Sequence, residues 1–165
     1  MPKPRPFQAE TISEKCNFWT NRIVPFIFAA NVTADNQRSM RRAMDAIEAI
    51  SAIRFVNRTN EADYVRIQNA DVNNSFVGRI GGEQVINIFN WDYQFIMCPE
   101  LFHCLGIEHE QSRPDRDNFI QINMDNVCVA NRFNFNRITN ARRYGSYDFE
   151  SIMHYGNTAF LVMVI

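Results

Sequence analysis

Two histidines and a glutamate stand at a spacing that suits metal-assisted hydrolysis. Glu100 lies three residues before His103, and Gly106 stands between His103 and His109. On a helix, a step of three residues places the carboxylate on a face next to the imidazole, near enough to take a proton from a metal-bound water. Gly106 lets the helix end, so that His109 could return to the same ion. The stretch therefore predicts a metal site with a general base beside it.

The position four residues before His103 departs from this pattern. Two imidazoles four residues apart on a helix point in nearly the same direction and can hold one ion, but residue 99 is proline. Proline has no side-chain donor for a metal, and it lacks the amide hydrogen that an inner helical position uses. We therefore expect the helix to begin at Pro99 and the site to contain two imidazoles in place of three.

Length and composition favour one globular domain. The chain has 165 residues, of which 46% are hydrophobic and 21% are charged, and this is enough to bury a core. No apolar run approaches the roughly 20 residues that a membrane span needs. The formal net charge of −1 provides no overall field to attract nucleic acid or anionic lipid. We expect neither a nucleic-acid nor a membrane partner.

Short apolar runs predict the elements that must position these residues. Residues 23–28 are rich in β-formers, and Pro25 indicates an edge strand or a strand end. Apolar residues at helical spacing then predict an amphipathic helix: Met40, Ala43, Met44, Ile47 and Ile50. Four further runs predict strands, at residues 53–56, 64–67, 76–79 and 85–88. Gly81 and Gly82 predict a turn between the last two, hence an antiparallel pair, and the whole pattern favours an α+β fold.

Residues 100–110 read Glu-x-x-His-x-x-Gly-x-x-His-Glu and resemble the active-site region of the astacin metallopeptidases, a branch of the metzincins. Further motifs stand in the family's order at residues 53–56, 63–65, 75–82 and 147–156. The resemblance covers roughly residues 18 to 160. Several separated motifs in one order are more specific than any single motif.

The resemblance implies a metzincin-like, two-part α+β domain. Its expected features are a twisted, mostly parallel sheet with an antiparallel edge strand, packed on two helices, and a truncated, mostly irregular C-terminal part. We expect this domain at residues 18–165, preceded by a poorly ordered extension at residues 1–17. The chain stops ten residues past Tyr155, where the family continues, so we expect a domain that is incomplete at its C-terminus.

The resemblance also implies the roles of a catalytic site. His103 and His109 match the second and third zinc ligands, and Glu100 matches the general base. Tyr155 matches a tyrosine that can ligate the metal and then stabilise the oxyanion of the tetrahedral intermediate. Met153 matches the methionine in the turn beneath the metal. The implied cofactor is one zinc ion.

Two other regions take binding roles from the resemblance. Glu110 matches the acid that holds the amino terminus of the mature enzyme after a propeptide is removed. Ser75, Phe76 and Val77 match the edge strand along which a peptide substrate lies extended. The implied partner is a peptide or protein substrate, and we expect a monomer.

Pro99 stands where the family has its first zinc ligand. If a structural zinc site is worth about 10–16 kcal/mol, losing one ligand removes about 3–5 kcal/mol, or roughly 10²–10⁴ in affinity. We therefore expect zinc binding to be weakened or lost. The segment after Gln84 is one residue shorter than the family's, which suggests Cys98 as a substitute ligand. Cys98 lies about 140° from His103 around a helix, so it would reach the ion only from non-helical backbone; a buried or capping cysteine is the alternative.

The family's cysteines are missing at Ala52, Asn73 and Asn74, so we expect its disulfides to be absent. This indicates a less stable domain or a reducing compartment. The family is secreted, whereas no secretory signal is visible at the start of this chain.

Three functions stay open from the sequence alone. The first is an astacin-type zinc endopeptidase that works weakly through an incomplete site. The second is a catalytically silent pseudoprotease that binds peptides or proteins through a retained cleft. The third is a truncated copy with no independent function.

Overall fold

The structure is a computed structural model and describes residues 11–13 and 17–160. These residues divide into two compact units. The sheet unit contains residues 17–107, and the loop unit contains residues 11–13 together with residues 108–160. In the described part of the chain, no helix has both the length and the apolar character needed to cross a bilayer.

A five-stranded sheet organises the sheet unit. Its strands are β2 (Ile23–Phe28), β3 (Arg54–Asn57), β4 (Tyr64–Asn69), β5 (Asn74–Ser75) and β6 (Glu83–Ile88). The spatial order is β3-β2-β4-β6-β5, and every pairing is parallel except that of β5 with β6. The prediction of a mostly parallel sheet with an antiparallel edge strand is confirmed.

Helix α1 (Ala34–Ile50) supplies much of the core of this unit. It begins after Thr33, whose side-chain oxygen accepts a hydrogen bond from the Asn36 amide. The predicted apolar stripe is buried at four positions: Met40, Ala43, Met44 and Ile47. The prediction is wrong for Ile50, which is the last residue of the helix and is 47% exposed.

Two predictions about strands are also wrong. Strand β2 lies inside the sheet and Pro25 is its third residue, although Pro25 had indicated an edge strand or a strand end. Strand β4 pairs only with residues 26–28, so the proline lies outside the segment that β2 and β4 share. The strand predicted at residues 76–79 is displaced to β5 at Asn74–Ser75. The chain then leaves the sheet, because Gly78 adopts a positive φ of 73° and its amide donates to the carbonyl of His103 at 2.7 Å.

The second helix of the sheet unit, α2 (Gln94–Cys104), contacts α1, β5 and β6.

The loop unit has little regular structure, as predicted for the C-terminal part. Strand β1 (Thr11–Ser13) pairs antiparallel with β7 (Ala141–Arg143). The rest of this unit consists of loops and short 3₁₀ turns at Glu110–Ser112, Arg116–Asn118, Met124–Asn126 and Val129–Phe135. Apart from residues 11–13 and 17, the predicted N-terminal extension lies outside the described residues.

A buried charge cluster stabilises the loop unit in place of a large sheet. The Arg113 side chain is 2% exposed, donates to Glu110 at 3.0 Å and donates to both oxygens of Asp115 at 3.0 and 3.1 Å. Arg143 of β7 donates to Asp115 at 2.7 Å. The Arg113 hydrogen bonds, with a smaller contribution from Arg143, lower the pKa of Asp115 to about 2. The cluster therefore links β7 to the segment that follows residue 109.

We predict that Asp115→Asn weakens the fold most at neutral pH. Because the folded state lowers the pKa of this carboxyl from 3.8 to about 2, Asp115 contributes about 2 kcal/mol above pH 5. This contribution is lost as the pH falls through the folded-state pKa, with about half remaining at pH 3. Urea denaturation of wild type and variant between pH 6 and 3 measures the difference.

Asp117→Asn is the matched control, because the Asp117 side chain is 59% exposed and pairs with Arg116 and Arg137 near the surface. It should change the free energy of unfolding by less than about 1 kcal/mol. A free-energy difference between wild type and Asp115→Asn that does not shrink at acid pH would contradict the assignment.

Candidate functional site

Helix α2 passes through Pro99 without ending. The prediction that the helix begins at Pro99 is wrong, because α2 begins at Gln94 and carries the proline as its sixth residue. A helical residue at position 99 would normally donate its amide to the carbonyl of Phe95, and proline has no such hydrogen. The rest of the helix is maintained around this single missing bond. Pro99, Glu100 and His103 consequently share one helical backbone.

Hydrogen bonds from other parts of the sheet unit fix the C-terminal end of α2. The indole Nε1 of Trp19 donates to the carbonyl of Cys104 at 2.9 Å, and the Gly78 amide donates to the carbonyl of His103. Gly106 then adopts a φ of 98°, which only glycine adopts without strain. The predicted stop at Gly106 is confirmed, whereas sequence patterns carried no signal for the role of Trp19.

The His103 ring is oriented by the backbone that follows α2. Its Nδ1 lies 2.8 Å from the carbonyl oxygen of Ile107, so Nδ1 carries the proton and donates, and the lone pair belongs to Nε2. Burial lowers the pKa of His103. The imidazole is therefore neutral at pH 7 and has the tautomer that a metal ligand requires.

Glu100 has the character of a proton-transfer group. Glu100 is buried, with 8% of its surface exposed. The Oε2 atom of its side chain has no hydrogen-bond partner among the described residues. Burial raises the pKa of this carboxyl to about 7. A group with a pKa near the working pH can both accept and release a proton.

Cys98 is less suited to the role of substitute ligand. It lies inside α2, five residues before His103, so it does not have the non-helical backbone on which that interpretation depended. Burial also raises the pKa of its thiol to about 11, which disfavours the thiolate that binds zinc. Cys98, Cys104 and Cys128 are free thiols in the part of the chain that the structure describes.

The loop unit brings together three more of the predicted residues. His109 Nδ1 lies 2.8 Å from the carbonyl oxygen of Met153, and the His109 and Tyr155 rings lie 4.3 Å apart between centroids. Met153 is 2% exposed. The Tyr155 amide donates to Oε1 of the buried Gln111 at 3.0 Å. The Met153 carbonyl in the turn at residues 151–155 thus orients the His109 ring as the Ile107 carbonyl orients the His103 ring. Gln111 is a positioning residue that sequence patterns did not indicate.

Glu110 is fully buried at the start of the same segment. Its Oε1 accepts hydrogen bonds from Arg113 and from the Asp148 amide, both at 3.0 Å. Its Oε2 has no hydrogen-bond partner among the described residues. The desolvation of Glu110 raises its pKa, although Arg113 and the Asp148 amide act in the opposite direction.

The predicted substrate strand is only partly a strand. Ser75 lies in β5, whereas Phe76 and Val77 follow it outside the sheet. Phe76 is 52% exposed. In the described residues, β5 is the last strand on its side of the sheet.

Sequence comparison extends these local matches over nearly the whole chain. Residues 11–164 match the family model described as Astacin, a peptidase family. The chain belongs to the astacin family. It is 36% identical over 142 residues to High choriolytic enzyme 1 of Oryzias latipes, covering 85% of this chain and 53% of that protein. It is also 36% identical over 147 residues to Zinc metalloproteinase nas-12 of Caenorhabditis elegans, covering 87% of this chain and 38% of that protein.

Solved structures agree with this family. High choriolytic enzyme 1, a hatching enzyme zinc-protease from Oryzias latipes, superposes with a TM-score of 0.80 at 34% identity, covering 89% of this chain and 76% of that one. Myroilysin has a TM-score of 0.63 at 15% identity over 93% of both chains, which supports the fold alone. The astacin-like chain spans about half the length, or less, of the two curated relatives named above.

The donor set of this astacin chain is incomplete for a zinc ion. The sequence resemblance implies a third imidazole at position 99, on the same helical face as His103, and Pro99 supplies no lone pair there. Among the described residues, no group of three or more His, Cys, Asp or Glu side chains could hold a metal ion. The residues present therefore do not fit the zinc site that the family implies.

We predict that Glu100→Gln makes the sheet unit less sensitive to pH. Because burial raises the pKa of Glu100 from 4.5 to about 7, the contribution of this carboxyl to the unfolding free energy is full below pH 4.5 and is lost as the pH rises through 7. Wild type should lose about 3 kcal/mol of unfolding free energy over this range, and the variant should lose much less. Urea denaturation at pH 5, 6, 7 and 8 with a chelator present measures this.

Glu150→Gln, at an exposed position of the loop unit, removes a carboxyl in the same way and is the control with which the Glu100→Gln profile is compared. Parallel profiles for wild type and Glu100→Gln would show that the carboxyl titrates normally.

Proposed function

We propose that this chain is an astacin-type metalloendopeptidase domain whose hydrolysis of peptide bonds is strongly impaired. The observation that carries the proposal is Pro99 within α2, four residues before His103. A side chain at position 99 lies on the same face of the helix as His103. The residue at position 99 therefore decides whether a second imidazole can bind the ion together with His103. Because the proline ring has no metal-binding atom, His103 is the one metal-binding side chain of this pair of positions.

Both remaining histidines keep the orientation that a ligand needs. The carbonyls of Ile107 and Met153 each accept a hydrogen bond from an Nδ1 atom, which assigns the lone pairs to the Nε2 atoms of His103 and His109. Two imidazoles hold zinc far less firmly than three, because each ligand of a structural site contributes several kcal/mol. We therefore attribute the impairment to the number of donors.

The proposal assigns the family's other roles to groups that have kept suitable surroundings. Glu100 has a pKa of about 7 and can hold or release the proton that hydrolysis moves. Tyr155 is fixed through its amide by Gln111 and through its ring by His109. The unpartnered Oε2 of Glu110 supports a role as acceptor for the ammonium group of a mature amino terminus.

A second candidate function is the binding of peptides without cleavage. The position of β5 at the end of the described sheet favours it, because an edge strand offers backbone groups with which an extended peptide can pair. Phe76 directly after β5 adds an exposed aromatic surface.

We also propose that the protein is secreted. Only its membership of the astacin family supports this.

We predict that Pro99→His gains chelator-sensitive cleavage of a quenched fluorescent peptide. The substitution restores an imidazole four residues before His103 and also returns the amide that can donate to Phe95. We expect at least a hundredfold higher rate than that of the unmodified chain with equal added zinc.

Pro99→Ala is the matched control, because it relieves the helix in the same way but supplies no donor. It should stay as inactive as the unmodified chain. Robust chelator-sensitive cleavage by the unmodified chain would contradict the proposed impairment, as would equal gains in Pro99→His and Pro99→Ala.

We predict that Phe76→Ala weakens the binding of fluorescein-labelled peptides from a casein digest about tenfold, as measured by anisotropy. The loss follows from removing an exposed aromatic contact beside the strand edge. Phe133→Ala is the control, because Phe133 is 65% exposed but lies in the loop unit. Equal effects of the two substitutions would argue against β5 as the peptide-binding edge.

A further inference from the structure

The loop unit contains a cavity of about 380 Å³. This volume lies within the range of small-molecule pockets. Aliphatic and aromatic side chains form much of its wall, with Ile122 and Val127 on one segment and Phe135 on another. Val127 and Phe135 are buried, so this part of the wall is fixed by packing. Neither of the two predicted histidine ligands lines the cavity, whereas Tyr155, the residue with the proposed oxyanion role, does.

One buried hydrogen-bond donor in the cavity wall is unsatisfied. Gln111 is 1% exposed and lines the cavity, and its Oε1 accepts the Tyr155 amide at 3.0 Å. Its Nε2 has no hydrogen-bond partner among the described residues. A buried donor without an acceptor costs about 1–3 kcal/mol. The hydrogen bond to Tyr155 fixes which end of the amide carries this unsatisfied donor.

The wall of the cavity has no carboxylate, ammonium or guanidinium group, and both ring nitrogens of its imidazole, His154, have partners: Nδ1 lies 2.7 Å from the carbonyl oxygen of Tyr155 and Nε2 lies 2.7 Å from the Tyr147 hydroxyl. None of its lining residues is Asp, Glu, Lys or Arg, and its other polar side chains include the amides of Gln121, Asn123 and Asn157. A charged ligand would lose its hydration without gaining an ion pair. An uncharged acceptor, such as the oxygen of an amide or ketone, would satisfy Nε2 of Gln111 at no such cost.

We propose that this cavity binds a small uncharged molecule that presents a carbonyl oxygen to Nε2 of Gln111 and an apolar group to Ile122, Val127 and Phe135. The site does not depend on zinc or on the state of position 99. It adds a ligand-binding role in the loop unit to the proposed peptidase function.

Benzamide is the probe, because it combines an uncharged carbonyl with one aromatic ring. Titration followed by ¹⁵N NMR should give a saturable shift of the Gln111 side-chain amide, with a dissociation constant in the millimolar range. Benzoate and benzylamine carry the same ring with a charge, and each should bind at least tenfold more weakly. The absence of a saturable shift with benzamide would overturn the proposal.

Two variants separate the donor from the cavity. Gln111→Glu keeps an oxygen to accept the Tyr155 amide but removes the donor, and it should weaken benzamide binding at least tenfold by ligand-observed NMR. Gln121→Glu changes an exposed amide of the wall in the same way and should bind within twofold of wild type. Equal binding by both variants would overturn the role of Gln111.

Ile122→Phe changes the apolar wall that faces the ring of benzamide without altering Gln111, and it tests the proposal if Gln111→Glu does not fold. It should change the dissociation constant for benzamide at least threefold while the melting temperature stays the same or rises, because a larger apolar side chain takes up part of the empty space. Unchanged benzamide binding by Ile122→Phe would show that the ligand binds elsewhere and would overturn the proposal.

Discussion

Helical spacing is the constraint on which the candidate site depends, because α2 sets the directions of Pro99, Glu100 and His103 with one backbone. A side chain four residues before His103 shares its face, so no other residue of the helix can replace an imidazole at position 99 equally well. The continuity of α2 from Gln94 to Cys104 also keeps Cys98 on a different face. On the proposed assignment, the proline removes one donor from the site while leaving the helix that presents Glu100 and His103 in place.

The two units hold their functional groups in place by different interactions. In the sheet unit, hydrogen bonds from Trp19 and Gly78 end α2 at a fixed place, and Ile107 orients the His103 ring. The loop unit has little regular structure, and the ion pairs of buried Arg113 replace a sheet as its stabilising framework. Such buried pairs are sensitive to the loss of either member, because the remaining charge is left without compensation.

Local patterns in the sequence predicted the features that depend on local chemistry. The stripe of α1, the presence of short strands and the stop at Gly106 follow from side-chain periodicity and from backbone freedom, whereas the parallel arrangement of the strands was implied by the resemblance to the astacins. The inner position of β2 and the early start of α2 could not be predicted, because they depend on pairing of residues 26–28 with β4 and on packing of the helix, which involve residues distant in sequence. The unsatisfied donor of Gln111 also depends on the fold, since its oxygen meets Tyr155 across 44 residues of sequence.

The central claim is that the number of imidazoles limits this astacin site, and zinc affinity tests it most directly. Competition with a chromophoric chelator should be measured at pH 7 for the unmodified chain and for Pro99→His. The account predicts that the unmodified chain binds zinc more weakly by a factor of roughly 10²–10⁴. Tight, stoichiometric binding by the unmodified chain, equal to that of Pro99→His, would contradict it.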